Sequence, residues 1–401
     1  MKYIVLVPDG MAGLPLEEIN DRTCMEAAKA PNMDMIARKG VVGMAKNVPR
    51  GMTPASDVAN LSILGYDPRK YYCGRGPLEA ANLGVDLTER DVAFRFNTVT
   101  VSDGKMLDYS AGHITTKEAA VLVDLLNREL GSERFSFYTG TSYRNLLVVH
   151  CDSAEEADRL SKVPCYPPHD ILDKSISGHL PKEPRLVELM ERSKGILRDI
   201  DINKVRVDLG QNPANMIWIW GQGKKPDIPG FEDAYGISGG IISAVDLLKG
   251  LGRVLGLEVA EVPGATGYYD TNYEGKAEAA LDILKKKDMV FVHVEAPDEA
   301  GHNGDIMEKI KAIENFDSKI TGRIIEELSE RCDYRVLILP DHPTPIKKRT
   351  HTADPVPFAI AGKGISPDDV AVFTEKSAKA GSMGLVQGSE LMRILLRGGN
   401  G

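Results

Sequence analysis

Three apolar stretches that end in acids constrain this chain more than any other feature. "KYIVLVPDG" (2–10), "DMVFVHVEAPDEAGH" (288–302) and "YRVLILPDHP" (334–343) are short and rich in β-branched residues, and each delivers carboxylates or imidazoles at its end. Runs of this kind read as buried strands leaving into loops. In parallel α/β sheets the C-terminal strand edge is where ligands bind, so three such ends point to one shared crevice. Between the last two, residues 305–332 carry apolar side chains near every third or fourth position with charges between, as a crossover helix requires. The region is β-α-β, and the fold class is α/β with a mostly parallel sheet flanked by helices.

The middle of the chain has a different rhythm. "DVAFRFNTVTVSDGKMLDYSAGH" (91–113) alternates like an antiparallel hairpin turning at Asp-Gly, and "RFSFYTG" with "NLLVVHC" suggests a second strand pair. Residues 163–184, dense in Pro, Gly and His, read as a surface loop. The α/β rhythm returns at residue 236. With 401 residues there is room for a discontinuous core, 1–71 and 236–401, interrupted by an inserted α+β domain, 72–235.

Lys and Arg total 49 against 58 Asp and Glu, a net charge of −9, which gives no global field for a polyanion. No nucleic-acid partner is expected, and any phosphate must meet a local site. Five cysteines (24, 73, 151, 165, 332) are scattered without a Cys-x-x-Cys pair, which argues against a disulfide framework and a zinc ribbon. With no basic leader and no run of 18 apolar residues, the reading is a soluble, cytoplasmic protein without a membrane partner. Nothing in the sequence fixes its oligomeric state.

Asp298 and His302 stand four apart, a spacing that reaches one ion from a helix or a loop, although a solvated pair has the same spacing. Four of the eight histidines lie after residue 290, and His302, His342 and His351 fall in polar loops beside Asp or after a strand. His293, inside "VFVHVEA", reads as a core or supporting histidine; His150, His169 and His179 read as structural. Mixed imidazole and carboxylate ligands hold divalent ions that polarise phosphoryl oxygens and acidify a bound hydroxyl. Ser56, in "PASDVANLSILGYDP", is such a hydroxyl at the start of a helix. Either a helix N-cap or a phosphorylated nucleophile fits that position.

Taken together, "VPDG", "ASDVANLSILGYDP", "GRGPLEA", "APDEAGH", "LPDH" and "HTADPVPF", in this order, resemble the archaeal-type cofactor-independent phosphoglycerate mutases of the alkaline phosphatase superfamily. The resemblance implies an alkaline-phosphatase-like core and two divalent ions: manganese, zinc or cobalt. Asp298, His302 and His351 would hold one; Asp9, Asp341, His342 and the Ser56 oxygen would hold the other. Ser56 would take the phosphoryl group from 3-phosphoglycerate and return it to the 2-hydroxyl, without 2,3-bisphosphoglycerate, while the insert encloses the small hydroxy acid. His113 and Arg144 match the family's substrate side, and Arg75 is a third candidate, with pairing to a nearby acid as its alternative. Lys224 and Lys225 offer a weaker phosphate contact. Asn60 departs from the pattern, since many archaeal-type members have histidine there. In this the stretch is similar to a bacterial branch proposed to act as homoserine kinases. A phosphatase or sulfatase shares the core, and a fold that had lost activity would lack one of the ligands.

Overall fold

The computed structural model describes residues 1–398 and divides into two units. One is formed by Met1–Tyr72 with the chain from Ile228 onward, the other by Cys73–Asp227. The return junction thus precedes the helix Phe231–Tyr235 instead of following it at 235/236, because that helix packs into the first unit: the Tyr235 hydroxyl donates to the Gly65 carbonyl at 2.8 Å and Phe231 is buried.

In chain order the strands are β1 Lys2–Pro8, β2 Gly40–Lys46, β3 Asp91–Ser102, β4 Lys105–Asp108, β5 Phe135–Thr141, β6 Arg144–His150, β7 Met216–Lys224, β8 Gly239–Ile242, β9 Glu258–Ala260, β10 Met289–Val294, β11 Tyr334–Ile338, β12 Val356–Gly362 and β13 Leu385–Gln387. The first unit's eight-stranded sheet runs β13-β2-β12-β11-β1-β10-β8-β9. All pairings are parallel except those of β12 with β11 and β2. β1 is central because Ile4, Val5, Leu6 and Val7 are apolar towards both faces, and all four are fully buried. The register aligns Val7 with His293 and Leu6 with Ile338. The three acid-bearing exits therefore leave from one edge.

The crossover between β10 and β11 begins with a helix, Ala296–Asn303, and continues through Ile306–Asn315, a π-helical segment Phe316–Gly322 and Arg323–Ser329. The π segment presents Asp317, which accepts from the Met33 amide at 2.7 Å and the Asn32 side chain at 2.9 Å. Lys309 is fully buried, and its ammonium donates to the carbonyls of Gly10 and Thr344, each at 2.7 Å. One side chain so fastens the loop after β1 to the loop after β11.

In the second unit β3 pairs antiparallel with β4, β6 and β7, and β6 with β5. Val92, Phe94 and Phe96 enter one core with Trp218 and the helix Thr116–Leu130, whereas Ala93 enters a smaller cluster with Leu146 and Val148. The hairpin's alternation thus does not mark a wet face. Residues 163–184 are more than a surface loop, since Ile171 and Ile176 are buried in the larger core. Among the described residues no helix is long and apolar enough to cross a membrane.

Candidate active site

Ser56 opens the helix Ser56–Ile63 as its first residue; the N-cap is Ala55, and Ser56 makes no capping bond. The N-cap alternative is thereby removed. The Ser56 hydroxyl instead lies 3.2 Å from His342 Nε2 and 3.4 Å from Asp9 Oδ2. Asn60, one helical turn on, donates to Asp341 Oδ2 at 2.9 Å and to the Ser56 carbonyl at 2.8 Å. Asp341 Oδ1 accepts the amides of Gly10 at 3.1 Å and His342 at 2.9 Å.

The helix Ala296–Asn303 puts Asp298 and His302 on one face, with His302 Nε2 at 3.1 Å from Asp298 Oδ2. His351 Nε2 is 2.9 Å from His302 Nε2 and 3.4 Å from Asp298 Oδ1. His302 Nδ1 donates to the Arg349 carbonyl at 3.0 Å and His351 Nδ1 to the Pro54 carbonyl at 3.2 Å, which turns both Nε2 atoms into the cluster. Thr344 bridges, through a short hydrogen bond to Asp298 and a 3.4 Å contact with His342 Nδ1.

All seven residues of the expected ligand set thus come together in the first unit, but their division is less clean than expected. His342 lies between the halves. Its ring packs on His351, with centroids 4.0 Å apart, and it can share an ion with Asp298 and His351, while its Nε2 is also 3.6 Å from Asp9 Oδ1. Asp9 and Asp341 group with His293, whose apolar run reads as that of a core or supporting histidine.

Charge makes this cluster suited to a cation. Burial, then the neighbouring Asp341 and Asp298 carboxylates, push Asp9 well above the usual carboxylate range, and Asp9 Oδ1 has no hydrogen-bond partner. Burial also pushes Asp298 up, but hydrogen bonds and charge from His302 and His351 outweigh it and hold the carboxyl well below its ordinary value. Burial drives His293 down to about 3 against the pull of Asp341. A neutral imidazole among crowded carboxylates is the donor set that manganese, cobalt and zinc take.

The residues expected to meet substrate, Arg75, His113 and Arg144, lie in the second unit. His113 is exposed at the end of a turn in which Ala111, Gly112 and His113 have φ of 48°, 65° and 50°, and Asp108 accepts the amides of Ser110 and Gly112 at 2.7 Å. Its ring lies 6.2 Å from Tyr143, over which Arg144 stands at 5.4 Å. Arg75 is 5.2 Å from the Trp220 ring, and Arg95 is 5.0 Å from it. Arg95 is a buried guanidinium that the sequence reading missed, 3.5 Å from Glu79, with its pKa lowered to about 10 by burial and by the Arg75 and Arg144 charges against Glu79. Its signal was a charge at an alternating strand position, "AFRFN". Lys224 is engaged by Asp158 at 2.7 Å.

Residues 37–203 match the family model of 2,3-bisphosphoglycerate-independent phosphoglycerate mutase. A curated relative of that name from Methanothrix thermoacetophila is 52% identical, over 99% of this chain and 100% of its own. Among solved structures, a protein from Pyrococcus horikoshii is 30% identical with a TM-score of 0.83, covering 99% of this chain and 96% of that one. The cofactor-independent phosphoglycerate mutase from Thermoplasma acidophilum is 30% identical with a TM-score of 0.65, covering 99% of both. With this identity over the full length of both chains, the chain belongs to the 2,3-bisphosphoglycerate-independent phosphoglycerate mutases.

Proposed function

We propose that the chain interconverts 3-phosphoglycerate and 2-phosphoglycerate through a phosphoserine at Ser56, without 2,3-bisphosphoglycerate. The observation that carries this is the Ser56 hydroxyl, free of any capping bond and set between His342 Nε2 and Asp9 Oδ2. Asp298, His302, His342 and His351 on one side, and Asp9, Asp341 and the Ser56 oxygen on the other, would hold two divalent ions, of which manganese, cobalt and zinc suit the donors. Bound there, the ions supply Lewis acidity to the phosphoryl oxygens and favour the serine alkoxide.

The chain's own residues do the rest. Asn60 fixes Asp341 against the first turn of the serine's helix, so the nucleophile and its acid move as one piece. Ser56 Oγ gives up its proton and forms its bond to phosphorus as the bond to glycerate O3 breaks, and O3 takes up a proton in its place. In the second half O2 loses a proton, attacks the phosphoserine and releases Ser56. Within the second unit, Arg75, Arg144 and His113 are the cationic and donor groups that the family resemblance offers for a phosphate or carboxylate.

The test is an assay of purified chain reloaded with manganese or cobalt and given 3-phosphoglycerate alone. Formation of 2-phosphoglycerate is expected, and Ser56→Ala should lower kcat by roughly 10⁴-fold or more. Undiminished turnover in Ser56→Ala sinks the nucleophile. Phosphohomoserine made from homoserine by a protein inert to phosphoglycerate would move it to the kinase branch, and net phosphate release would make it a phosphatase.

A further inference from the structure

We infer that His293 is a ligand to the ion on the serine side of the site, joining Asp9 and Asp341. This rests on the metal-dependent reading above and adds to it a residue outside the motif set. His293 is the penultimate residue of β10, directly opposite Val7, so its ring emerges on the same face as Asp9, two residues beyond Val7 and just past the end of β1. Its Nε2 is 3.0 Å from Asp9 Oδ2 but makes no hydrogen bond. The ring is fully buried, and buried polar atoms in a fold are ordinarily partnered. Asp9 Oδ1 is equally without a hydrogen bond.

A nitrogen and an oxygen this close without a hydrogen bond are what two ligands of one ion look like. Donors held about 2.1 Å from a common ion at right angles to each other lie about 3.0 Å apart. Asp9, His293 and Asp341 each offer an atom within 4.8 Å of the other two. The far side of the ring is supported as ligand histidines are: Nδ1 is 3.4 Å from Ser243 Oγ, which accepts the Val245 amide at 3.0 Å, and the buried Lys276 ammonium donates to the His293 carbonyl at 3.1 Å. His342 stands 3.5 Å from Asp341 Oδ2 and also groups with Asp298 and His351. His293 therefore supplies the serine-side ion with an imidazole that it need not share.

A metal-loaded crystal structure of the unaltered protein decides between ligand and supporting residue. Anomalous density for manganese or cobalt with His293 Nε2 at about 2.0–2.3 Å is expected; an ion held by Asp9 and Asp341 with Nε2 beyond about 3 Å overturns the inference. In solution, His293→Gln should weaken one of two cobalt equivalents roughly 100-fold in competition with a chromogenic chelator, with the other unmoved as its folding control. Two equivalents held as tightly as in the wild type overturn the inference while leaving the metal-dependent reading intact. Failure of the wild type itself to bind cobalt sinks that reading, and this inference with it.

Discussion

At Gly10 the backbone has a φ of 60°, and a Cβ there would stand 2.6 Å from Thr344 Oγ1 and against the Asp298 carboxylate. Gly10→Ala should cost about 1–2 kcal/mol in backbone strain alone. By displacing Asp298 it should lower kcat by roughly 100-fold, measured with saturating metal. Asn60 acts on the other acid. Asn60→Ala takes the donor from Asp341 Oδ2, and manganese affinity, followed by calorimetry, should fall about 10–100-fold. Wild-type affinity would show that the amide does not position Asp341. In the sequence Asn60 is legible only as a departure from a family pattern, because the acid it holds, Asp341, lies in another segment. Arg95 and His293 are hidden for a similar reason: a polar residue inside an apolar strand gives no sign of whether it faces a core, an acid or an ion.

Among the elements, the crossover helix carries the clearest lesson about what periodicity can tell. Its apolar spacing is legible, but the same spacing reads Lys309 as solvated, whereas the lysine is buried and holds the Gly10 and Thr344 carbonyls. Lys309→Met should leave those acceptors unmade and destabilise the protein by roughly 2–4 kcal/mol in urea unfolding, with the loops after β1 and β11 released. The π segment is equally invisible to pattern, since it follows from Asp317 reaching the amides of a distant helix. In the second unit, the helix Ala154–Leu160 carries Glu156, whose side chain is 13% exposed. Burial pushes that carboxyl up, but the Arg185 hydrogen bond, the Asp152 amide and the Arg134 and Arg185 charges pull it down to about 2. A depressed folded pKa gives stability that is present above the ordinary value near 4.5 and lost as pH falls towards 2. Thermal midpoints of the wild type should therefore drop between those values more steeply than those of Glu156→Gln, and parallel curves would refute the linkage.

Across the whole molecule, the strand ends that form the site are legible because parallel sheets put function at one edge, and β11, β1 and β10 are neighbours. How the ligands divide is not, because His342 is set by packing against His351 and not by its place in the chain. With divalent ions stripped, Asp9, Asp341 and Asp298 are left as buried acids in one another's field, and the thermal midpoint should fall. Manganese at 100 to 1,000 times its Kd should restore about 2.7–4.1 kcal/mol, and an unmoved midpoint would mean that the ion does not favour the folded state. The position of β1 has a further consequence for synthesis. It emerges well before its partners, which begin at residues 289 and 334, so at about 5–20 residues per second this apolar strand waits roughly 15–60 s for the first of them. The strands of the second unit pair only with one another among the described residues and can be complete by then. A ribosome stalled anywhere before residue 342 thus carries a serine without its acid and imidazole, and the emerging chain needs shelter for β1 long before it can have any catalytic use.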